Sequence, residues 1–308
     1  MSTTKRGLPV AEGLLLLVAA FWGTSYGLSK QALLFYSVMG FIAIRFLATF
    51  LTLLPVFIRE YRSGGGRDWR VGLPTGAILF LVFICETYGV AHTSAANAAF
   101  LISLCVLFTP FTEWLVFGRR PAGDNFLLAG LSFIGVAMLT TGSDVAFNLG
   151  DLLILGAAIL RAFMVTVTKK VTAGKQISTL SLTGIQSGVV GFGALAILLA
   201  FDPGEVGGLP MTTDFWLIVG YLVLFCTVFA FFAQNYGARN IAPTRVSLLM
   251  GTEPAFGALF AVWWLGESIA VSGWIGGGLI IFSALYSILP RTRRSPRAVM
   301  AGLNSTTG

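Results

Sequence analysis

Long apolar runs recur along the whole chain, separated by short gaps that carry most of the charge. A helix that crosses a bilayer needs about 20 apolar residues, and breaks at turn residues and charges divide this chain into ten runs of that order. The ten predicted spans cover residues 9–29, 33–58, 70–92, 96–118, 123–142, 150–169, 177–201, 213–238, 243–265 and 269–289. Charged residues make up 11% of the chain, whereas a soluble domain carries about 25%. The predicted fold class is therefore all-α, a polytopic membrane protein with ten transmembrane helices.

The gaps between spans alternate in charge. Seventeen of the 20 Lys and Arg residues lie in every second gap and in the two terminal segments. Because cytoplasmic loops are enriched in Lys and Arg, both termini are predicted to be cytoplasmic, as an even number of spans requires. We therefore expect a cytoplasmic N-terminal segment over residues 1–8 and a disordered cytoplasmic tail over residues 291–308.

The two halves of the chain share a weak internal repeat. A shift of 148 residues aligns Tyr88-Gly89 with Tyr236-Gly237, at the same place in corresponding spans. The predicted repeats cover residues 9–142 and 150–290, and each holds five spans. Since five is odd, the second repeat is predicted to cross the membrane upside down. Inverted repeats that enclose a site near the bilayer midplane are a transporter architecture.

Three stretches resemble a known family. AAFWGTSYGLSK (residues 19–30) resembles the motif that closes the first helix of the drug/metabolite transporter superfamily. NIAPTRVSLLMGTEPAFGALFAVWWLGES (residues 240–268) resembles the fourth-helix signature of its ten-helix, EamA-type branch, and residues 92–120 are the first-half copy. Three places depart from the family pattern: Val106 stands at the proline position of the first copy, Arg119 replaces the usual Glu, and Leu160-Arg161 stands where Trp-Gly or Trp-Ala is usual.

The resemblance implies a function. Members of the EamA-type branch are ten-helix bundles with a central cavity. Within that branch, this chain most resembles the aromatic amino acid exporters. We therefore expect export of amino acids or similar small amphipathic metabolites across a bacterial inner membrane, with a small-molecule substrate and the lipid bilayer as partners. The alternatives are multidrug or toxic-cation efflux, less favoured nucleotide-sugar transport, and a non-transporting membrane scaffold. Cation efflux would favour carboxylates rather than Arg161 in the cavity.

Ionisable side chains at membrane depth are the first candidates for a site, because each costs about 2.5–3.5 kcal/mol at a helix centre and so faces protein or a wet cavity. They are Arg45, Glu86, Glu113, Arg161 and Glu253. Arg161 is predicted to bind a substrate carboxylate, since a guanidinium binds carboxylates bidentately; an internal pair with a Glu is the alternative. Glu253 is predicted to bind an amine or a proton, and packing at a proline kink is the alternative. Arg45 and Glu113 are expected to be structural.

Aromatic and amide side chains are the second group of candidates. Trp22, Tyr26 and Tyr88 carry amphipathic rings that suit a ligand the size of an amino acid, and they are predicted to line the cavity. Asn97 and Gln234 are amides inside spans, where they either bind ligand or link helices.

Small residues and prolines predict where helices meet and bend. Ala19, Gly23 and Gly27 recur every four residues in the first span, which favours close approach of another helix along that face. Pro110 and Pro254 lie in the two copies of the fourth-helix signature. A proline lacks the N–H that would continue the helix, so these two positions are the predicted hinges.

The sequence offers little for catalysis. His92 is the only histidine, which excludes histidine clusters for zinc and most histidine-based catalytic arrangements. A G-x-x-x-x-G-K-[ST] phosphate-binding loop, which a nucleotide-driven pump would need, is absent. We therefore expect no enzymatic activity, no metal and no cofactor. The net charge of +7 falls in loops and in the tail, so we expect no nucleic acid partner.

Overall fold

The chain folds into a bundle of α-helices. The computed structural model describes residues 10–118, 120–139, 148–265 and 270–289. Within these residues the helices are α1 (Val10–Ala32), α2 (Val38–Arg62), α3 (Gly72–His92), α4 (Ala95–Ser103), α5 (Cys105–Phe117), α6 (Gly123–Leu139), α7 (Leu149–Thr172), α8 (Thr179–Phe201), α9 (Thr213–Val223), α10 (Ala230–Asn240), α11 (Pro243–Met250), α12 (Glu253–Leu265) and α13 (Val271–Ile288).

Each of the ten predicted spans is matched by one helix or by two successive helices. Eight helical stretches in the described part of the chain are long and apolar enough to cross a membrane, and Gly123–Met138 is a shorter apolar helix that matches the fifth span. The ninth predicted span is divided between α11 and α12. The prediction of an all-α, polytopic membrane protein is confirmed. The predicted terminal segments, 1–8 and 291–308, lie outside the described residues.

The fourth and ninth spans are each broken into two helices, which the sequence analysis treated as continuous. The first break falls at Leu104 and the second between Met250 and Glu253. Pro254 explains the second break, since it has no N–H to offer the carbonyl of Met250. The breaks meet, because a Cβ atom placed on Gly251 would lie 2.3 Å from Val106 Cγ2. Pro110 and Pro254 as hinges stay a prediction.

The helix pairs follow the repeat. Helices α4, α5 and α6 begin 148 residues before α11, α12 and α13, so the predicted shift holds for the last two spans of each half. Helix α2 packs on α8 and α6 on α13, while the contact of α3 with α7 has its counterpart in α10 with α1. A Cβ atom on Gly89 would clash with Ile154, and one on Gly237 would clash with Leu15. The Tyr-Gly pairs therefore mark equivalent close contacts between the two halves.

Close helix contacts explain part of the glycine content. A Cβ atom on Gly23 would lie 2.7 Å from the backbone nitrogen of Gly257, so α1 and α12 touch at that point. Gly27 has no atom within 4 Å of that position. The predicted small-residue face is thus a tight contact at Gly23 and open at Gly27.

Carboxylates at the predicted cytoplasmic side cap helix starts. Glu113 accepts hydrogen bonds from the backbone N–H and the hydroxyl of Thr244, in the first turn of α11. Glu60 does the same for the backbone N–H and hydroxyl of Ser178 before α8. In the loop before α3, the backbone N–H of Gln176 holds the pKa of the Asp68 carboxyl below its usual value. These contacts agree with the expected structural role of Glu113, which stays a prediction.

Candidate functional site

A small cavity lies between the two halves at the centre of the bundle. It is lined by Trp22, Ser25, Tyr26, Arg45, Leu79, Val82, Phe83, Glu86, Arg161, Met164, Phe231 and Gln234. The volume of the cavity is about 20 Å³, which is room for about one water molecule. An amino acid does not fit this space, so the structure shows the cavity in a closed form.

The second half contributes a buried ion pair. Arg161 on α7 donates to Glu253 on α12 across 3.3 Å, and the two side chains are only 7% and 4% exposed. The Arg161 guanidinium also lies over the ring of Trp22, with 4.2 Å between Cζ and the ring centroid. Burial without compensation would be costly for either charge, so each of the two depends on the other. The structure shows the predicted alternative, an internal pair of Arg161 with a Glu; Arg161 also lines the cavity, and its binding of a substrate carboxylate stays a prediction.

The ion pair leaves one acceptor atom unused. Among the described residues, Glu253 Oε1 and Gln234 Oε1 are buried without a hydrogen-bond partner. A buried acceptor without a donor costs free energy. A ligand or water with N–H or O–H groups would therefore be stabilised at either atom.

The first half contributes Arg45 on α2 and Glu86 on α3, and both line the cavity. The Arg45 guanidinium donates to Thr227 Oγ1 (2.7 Å) and to the carbonyl of Cys226 (3.4 Å). Arg45 and Glu86, both in the described part of the chain, form no ion pair with each other. The Glu86 carboxylate is thus available to a ligand without the loss of an existing pair.

Both partners of Arg45 belong to a π-helical segment, Leu224–Phe229, which joins α9 to α10. The hydroxyl of Thr227 donates to the carbonyl of Leu222, five residues earlier, and the indole N–H of Trp22 donates to the carbonyl of Cys226 (2.9 Å). The segment therefore turns backbone and side-chain acceptors toward α1 and α2. π-segments of this kind occur often at functional sites. The sequence analysis predicted one uninterrupted span here.

The structure gathers most, but not all, of the predicted site residues. Trp22, Tyr26, Arg161 and Gln234 line the cavity, and Glu253 joins them through Arg161.

Tyr88 and Asn97 lie elsewhere. Tyr88 packs against the core outside the cavity lining, with its carbonyl 2.7 Å from the His92 ring. Asn97 lies in the first turn of α4 and donates to Asp151 (3.4 Å), so it links helices. A direct role of either in substrate binding stays a prediction that this arrangement does not favour.

The sequence analysis left two charged cavity residues outside the predicted site, Arg45 and Glu86. A signal for Glu86 was present in the repeat, because the shift of 148 residues pairs it with Gln234. The same shift pairs Phe83 with Phe231, and these rings contact each other with 5.8 Å between their centroids.

Metal ligands do not cluster in the described part of the chain. No group of three or more His, Cys, Asp or Glu residues lies close enough there to hold a metal ion. The cysteines are unpaired and buried or half-buried.

Comparisons with known proteins agree with the fold. The EamA-like transporter family matches the chain twice, over residues 10–141 and 148–289. A transporter of Archaeoglobus fulgidus, itself uncharacterized, is 28% identical over 280 residues, which is 88% of this chain and 83% of that protein. The uncharacterized inner membrane transporter YedA of Escherichia coli K12 is 24% identical and is covered over 94% of both chains.

A solved crystal structure gives a TM-score of 0.71 at 15% identity and covers 89% of this chain and 94% of that one. At this identity the likeness shows the fold alone. The family match, in contrast, covers nearly the whole chain as two successive copies that coincide with the two halves of the helix bundle. The chain therefore belongs to the EamA-like transporter family.

Proposed function

We propose that the protein is a secondary transporter that exports amino acids or similar small amphipathic metabolites by alternating access. The observation that carries the proposal is the central cavity, which holds two Arg and one Glu side chain beside aromatic rings. Buried charges at membrane depth are costly unless they serve binding or pairing. In a zwitterion with an apolar side chain, each chemical group finds a complementary side chain in this lining.

Each part of an amino acid has a counterpart in the cavity. Glu86 offers an unpaired carboxylate for an ammonium group. Arg161 offers a guanidinium for a carboxylate, provided that the substrate takes the place of Glu253. The rings of Trp22, Phe83 and Phe231 offer apolar and aromatic contact. This division of labour supports an amphipathic substrate rather than a purely hydrophobic one.

The closed cavity supports a mechanism in which the halves move. Its free volume admits about one water, so a substrate enters only when the halves, 9–142 and 150–290, separate on one side. The helix breaks at Leu104 and between Met250 and Glu253 meet at Val106 and Gly251, and a helix break is where such a movement costs least. Pro254 lies at the second break, whereas Pro110 lies inside α5, six residues after the first. We assign the hinges to these breaks.

The orientation follows from charge. Basic residues gather at one side of the bundle, where Lys169 and Arg239 hold loop carbonyls. This distribution supports cytoplasmic termini. The name of the Escherichia coli relative places that protein in the inner membrane, which supports the same location here.

Flux measured with purified protein in liposomes tests the proposal. Proteoliposomes loaded with an unlabelled amino acid mixture are diluted into labelled single amino acids, with protein-free liposomes as the control. We expect counterflow of at least one amino acid, strongest for those with large apolar or aromatic side chains. Absence of counterflow for every amino acid would contradict the proposed substrate class.

Efflux of lipophilic or toxic cations is the second candidate, and one observation favours it. Glu86 and the unused Oε1 atom of Glu253 present carboxylate oxygens at the cavity. Labelled tetraphenylphosphonium in the same liposomes separates the two functions. Flux of this cation without flux of any amino acid would replace the first proposal with the second.

A further inference from the structure

On each side of the bundle, a carboxylate in the first turn of a helix bonds the other half, and these two arrangements are equivalent in the repeat. We propose that these two contacts act as locks, each of which opposes opening of the transporter on its own side. The inner lock is Glu12 with Arg245; the outer lock is Asp151 with Asn97 and Thr93. The inference rests on the proposed function, because it takes one cavity to open to each side in turn.

The inner lock joins α1 to α11. Glu12 is buried in the first turn of α1, and the Arg245 guanidinium donates to its Oε1 atom across 3.3 Å. Helix α1 belongs to the first half and α11 to the second, and both begin on the predicted cytoplasmic side. Separation of the halves on that side breaks this contact.

The outer lock joins α7 to the junction of α3 and α4. Asp151 is buried in the first turn of α7, and its Oδ1 atom accepts from the hydroxyl of Thr93 (2.6 Å) and from the amide of Asn97 (3.4 Å). Asp151 belongs to the second half and its two donors to the first. Separation of the halves on the outer side breaks both bonds.

The two locks occupy equivalent positions. Glu12 is the third residue of α1, and Asp151 is the third residue of α7. Helix α11 begins 148 residues after α4, which pairs Asn97 with Arg245 and Thr93 with Ile241. One geometry is therefore built twice, at opposite sides of the bundle, with different chemistry.

A second pair of contacts supports this equivalence. Lys30 near the end of α1 donates to the carbonyl of Thr93, and Lys169 near the end of α7 donates to the carbonyl of Ile241, each across 2.6 Å. Each lysine bond stays within one half, whereas each carboxylate contact crosses between halves. The lysine bonds can therefore persist during opening, while the carboxylate contacts must break.

The locks differ in how well the carboxylate is satisfied. Both oxygens of Asp151 are bonded, since Oδ2 accepts from the backbone N–H of Asn148 (3.0 Å). Glu12 Oε2 is buried with no partner among the described residues, and Ile241, the counterpart of Thr93, has no hydroxyl. A buried acceptor without a donor destabilises the state that buries it. The Glu12 contact is thus weaker than the Asp151 contact, while Glu113 with Thr244 and Glu60 with Ser178 add further bonds between the halves on the inner side.

Distances across the two entrances test the inference. Spin labels at Val10 and Ala242 report on the inner entrance, and labels at Ala95 and Leu149 report on the outer entrance. The native cysteines are first replaced by alanine, and double electron–electron resonance is recorded in nanodiscs without substrate. The two distance distributions of the otherwise unchanged protein are the reference for each substitution.

Equivalent substitutions should act on opposite sides. Asn97→Ala removes an outer donor, and we expect the long-distance fraction of the outer pair to rise about fivefold, the factor that corresponds to about 1 kcal/mol. Arg245→Ala should raise the long-distance fraction of the inner pair and should not raise that of the outer pair, because a larger population open to one side leaves a smaller population open to the other. Arg62→Ala, which removes an exposed charge at the end of α2, is the matched control. Thr93→Val is the second outer variant, in case Asn97→Ala disturbs the start of α4.

Two results would overturn the inference. They are substitutions that leave both distances unchanged, and a rise in the long-distance fraction of the same entrance with both substitutions. Liposome flux of the same variants separates this inference from the proposed function. Unchanged distances in a protein that transports refute the locks alone, whereas altered distances in a protein without flux refute the function alone.

Discussion

The two halves of the bundle present the same scaffold to the cavity with different charges. The repeat pairs Glu86 of the first half with Gln234 of the second, so a carboxylate faces a neutral amide. It pairs Cys105 with Glu253. The starts of α1 and α7 pair Trp22 with Arg161, one residue away from the sequence prediction, which placed Leu160 at the Trp22 position. Wherever one half carries a charge at these positions, the other half carries none.

The difference shows that a repeat conserves geometry more strictly than chemistry. Arg161 lies directly over its counterpart Trp22, as equivalent residues do when they lie close to the axis that relates two halves. In the second half the charges neutralise each other at 3.3 Å. In the first half Arg45 is held by neutral partners and Glu86 is unpaired among the described residues. The ion pair of the second half therefore stabilises the closed cavity, whereas the Glu86 carboxylate of the first half contributes no such pair within the described part of the chain.

The largest expected effect is at the paired charges. Arg161→Gln leaves Glu253 buried without its partner, so we expect a loss of about 3–5 kcal/mol in the free energy of unfolding and no measurable transport. Thermal unfolding in detergent and amino acid counterflow are the measurements. The double variant Arg161→Gln/Glu253→Gln should recover stability without transport. Full transport by Arg161→Gln, with an unchanged preference for substrates that carry a carboxylate, would contradict its binding role.

The next effect compares packing in the equivalent helices α1 and α7. Gly23 has no room for a methyl group against Gly257, while α7 carries Ala162 at the counterpart position. Gly23→Ala should lower the free energy of unfolding by about 1–3 kcal/mol through overpacking. Gly27→Ala, on the same face with no atom within 4 Å, is the matched control and should be neutral. Equal stability of the two variants would show that α1 and α12 are not in close contact.

Glu86→Gln makes the first half resemble the second, where Gln234 stands. Because Glu86 has no ion pair to lose among the described residues, we expect the free energy of unfolding to change by less than about 1 kcal/mol. Counterflow of amino acids should fall about tenfold, which corresponds to about 1.4 kcal/mol of binding to the ammonium group. An analogue without the amino group serves as the control, and its counterflow should be the same in the variant as in the unchanged protein. If amino acid flux is unchanged, Glu86 is not the ammonium site.

The smallest expected effect separates the two roles of Trp22. Trp22→Phe keeps an aromatic face over Arg161 and removes the indole N–H that bonds Cys226, so we expect a loss of about 1 kcal/mol in the free energy of unfolding. Trp263, which is 88% exposed, gives the matched control in Trp263→Phe. A loss of the same size in both variants would show that the bond to the π-helical segment contributes nothing specific.

Span length was predictable from sequence, whereas helix rotation was only partly predictable. Apolar runs and turn residues gave spans that match the described helices. Trp22 and Tyr26 were found because four residues of helical spacing place both on one face. Tyr88 and Glu86 are two residues apart, which corresponds to about 200° around a helix. Because Glu86 lines the cavity, Tyr88 faces away from it. Only contact with neighbouring helices decides which of the two faces inward.

Two further misses have different physical causes. Asn97 lies three residues after the capping residue Ser94, so it belongs to a helix end rather than to the midplane. Arg45 was expected to pack, and it does bind the π-helical segment, but its position at the cavity depends on that segment. A π-turn is stabilised by tertiary contacts such as these, and the residues 224–229 carry no pattern that distinguishes them from an ordinary apolar helix.

The π-helical segment Leu224–Phe229 also acts as a register shift. A π-turn takes up one residue more than an α-turn, and each residue advances an α-helix by about 100°. The side of α10 that carries Phe231 and Gln234 therefore faces inward because of one additional residue upstream, not because of its own composition. Deletion of a single residue within the segment would keep the hydropathy of the span and yet turn both side chains away from the substrate path. In this span, specificity is encoded by a count of residues as much as by their identity.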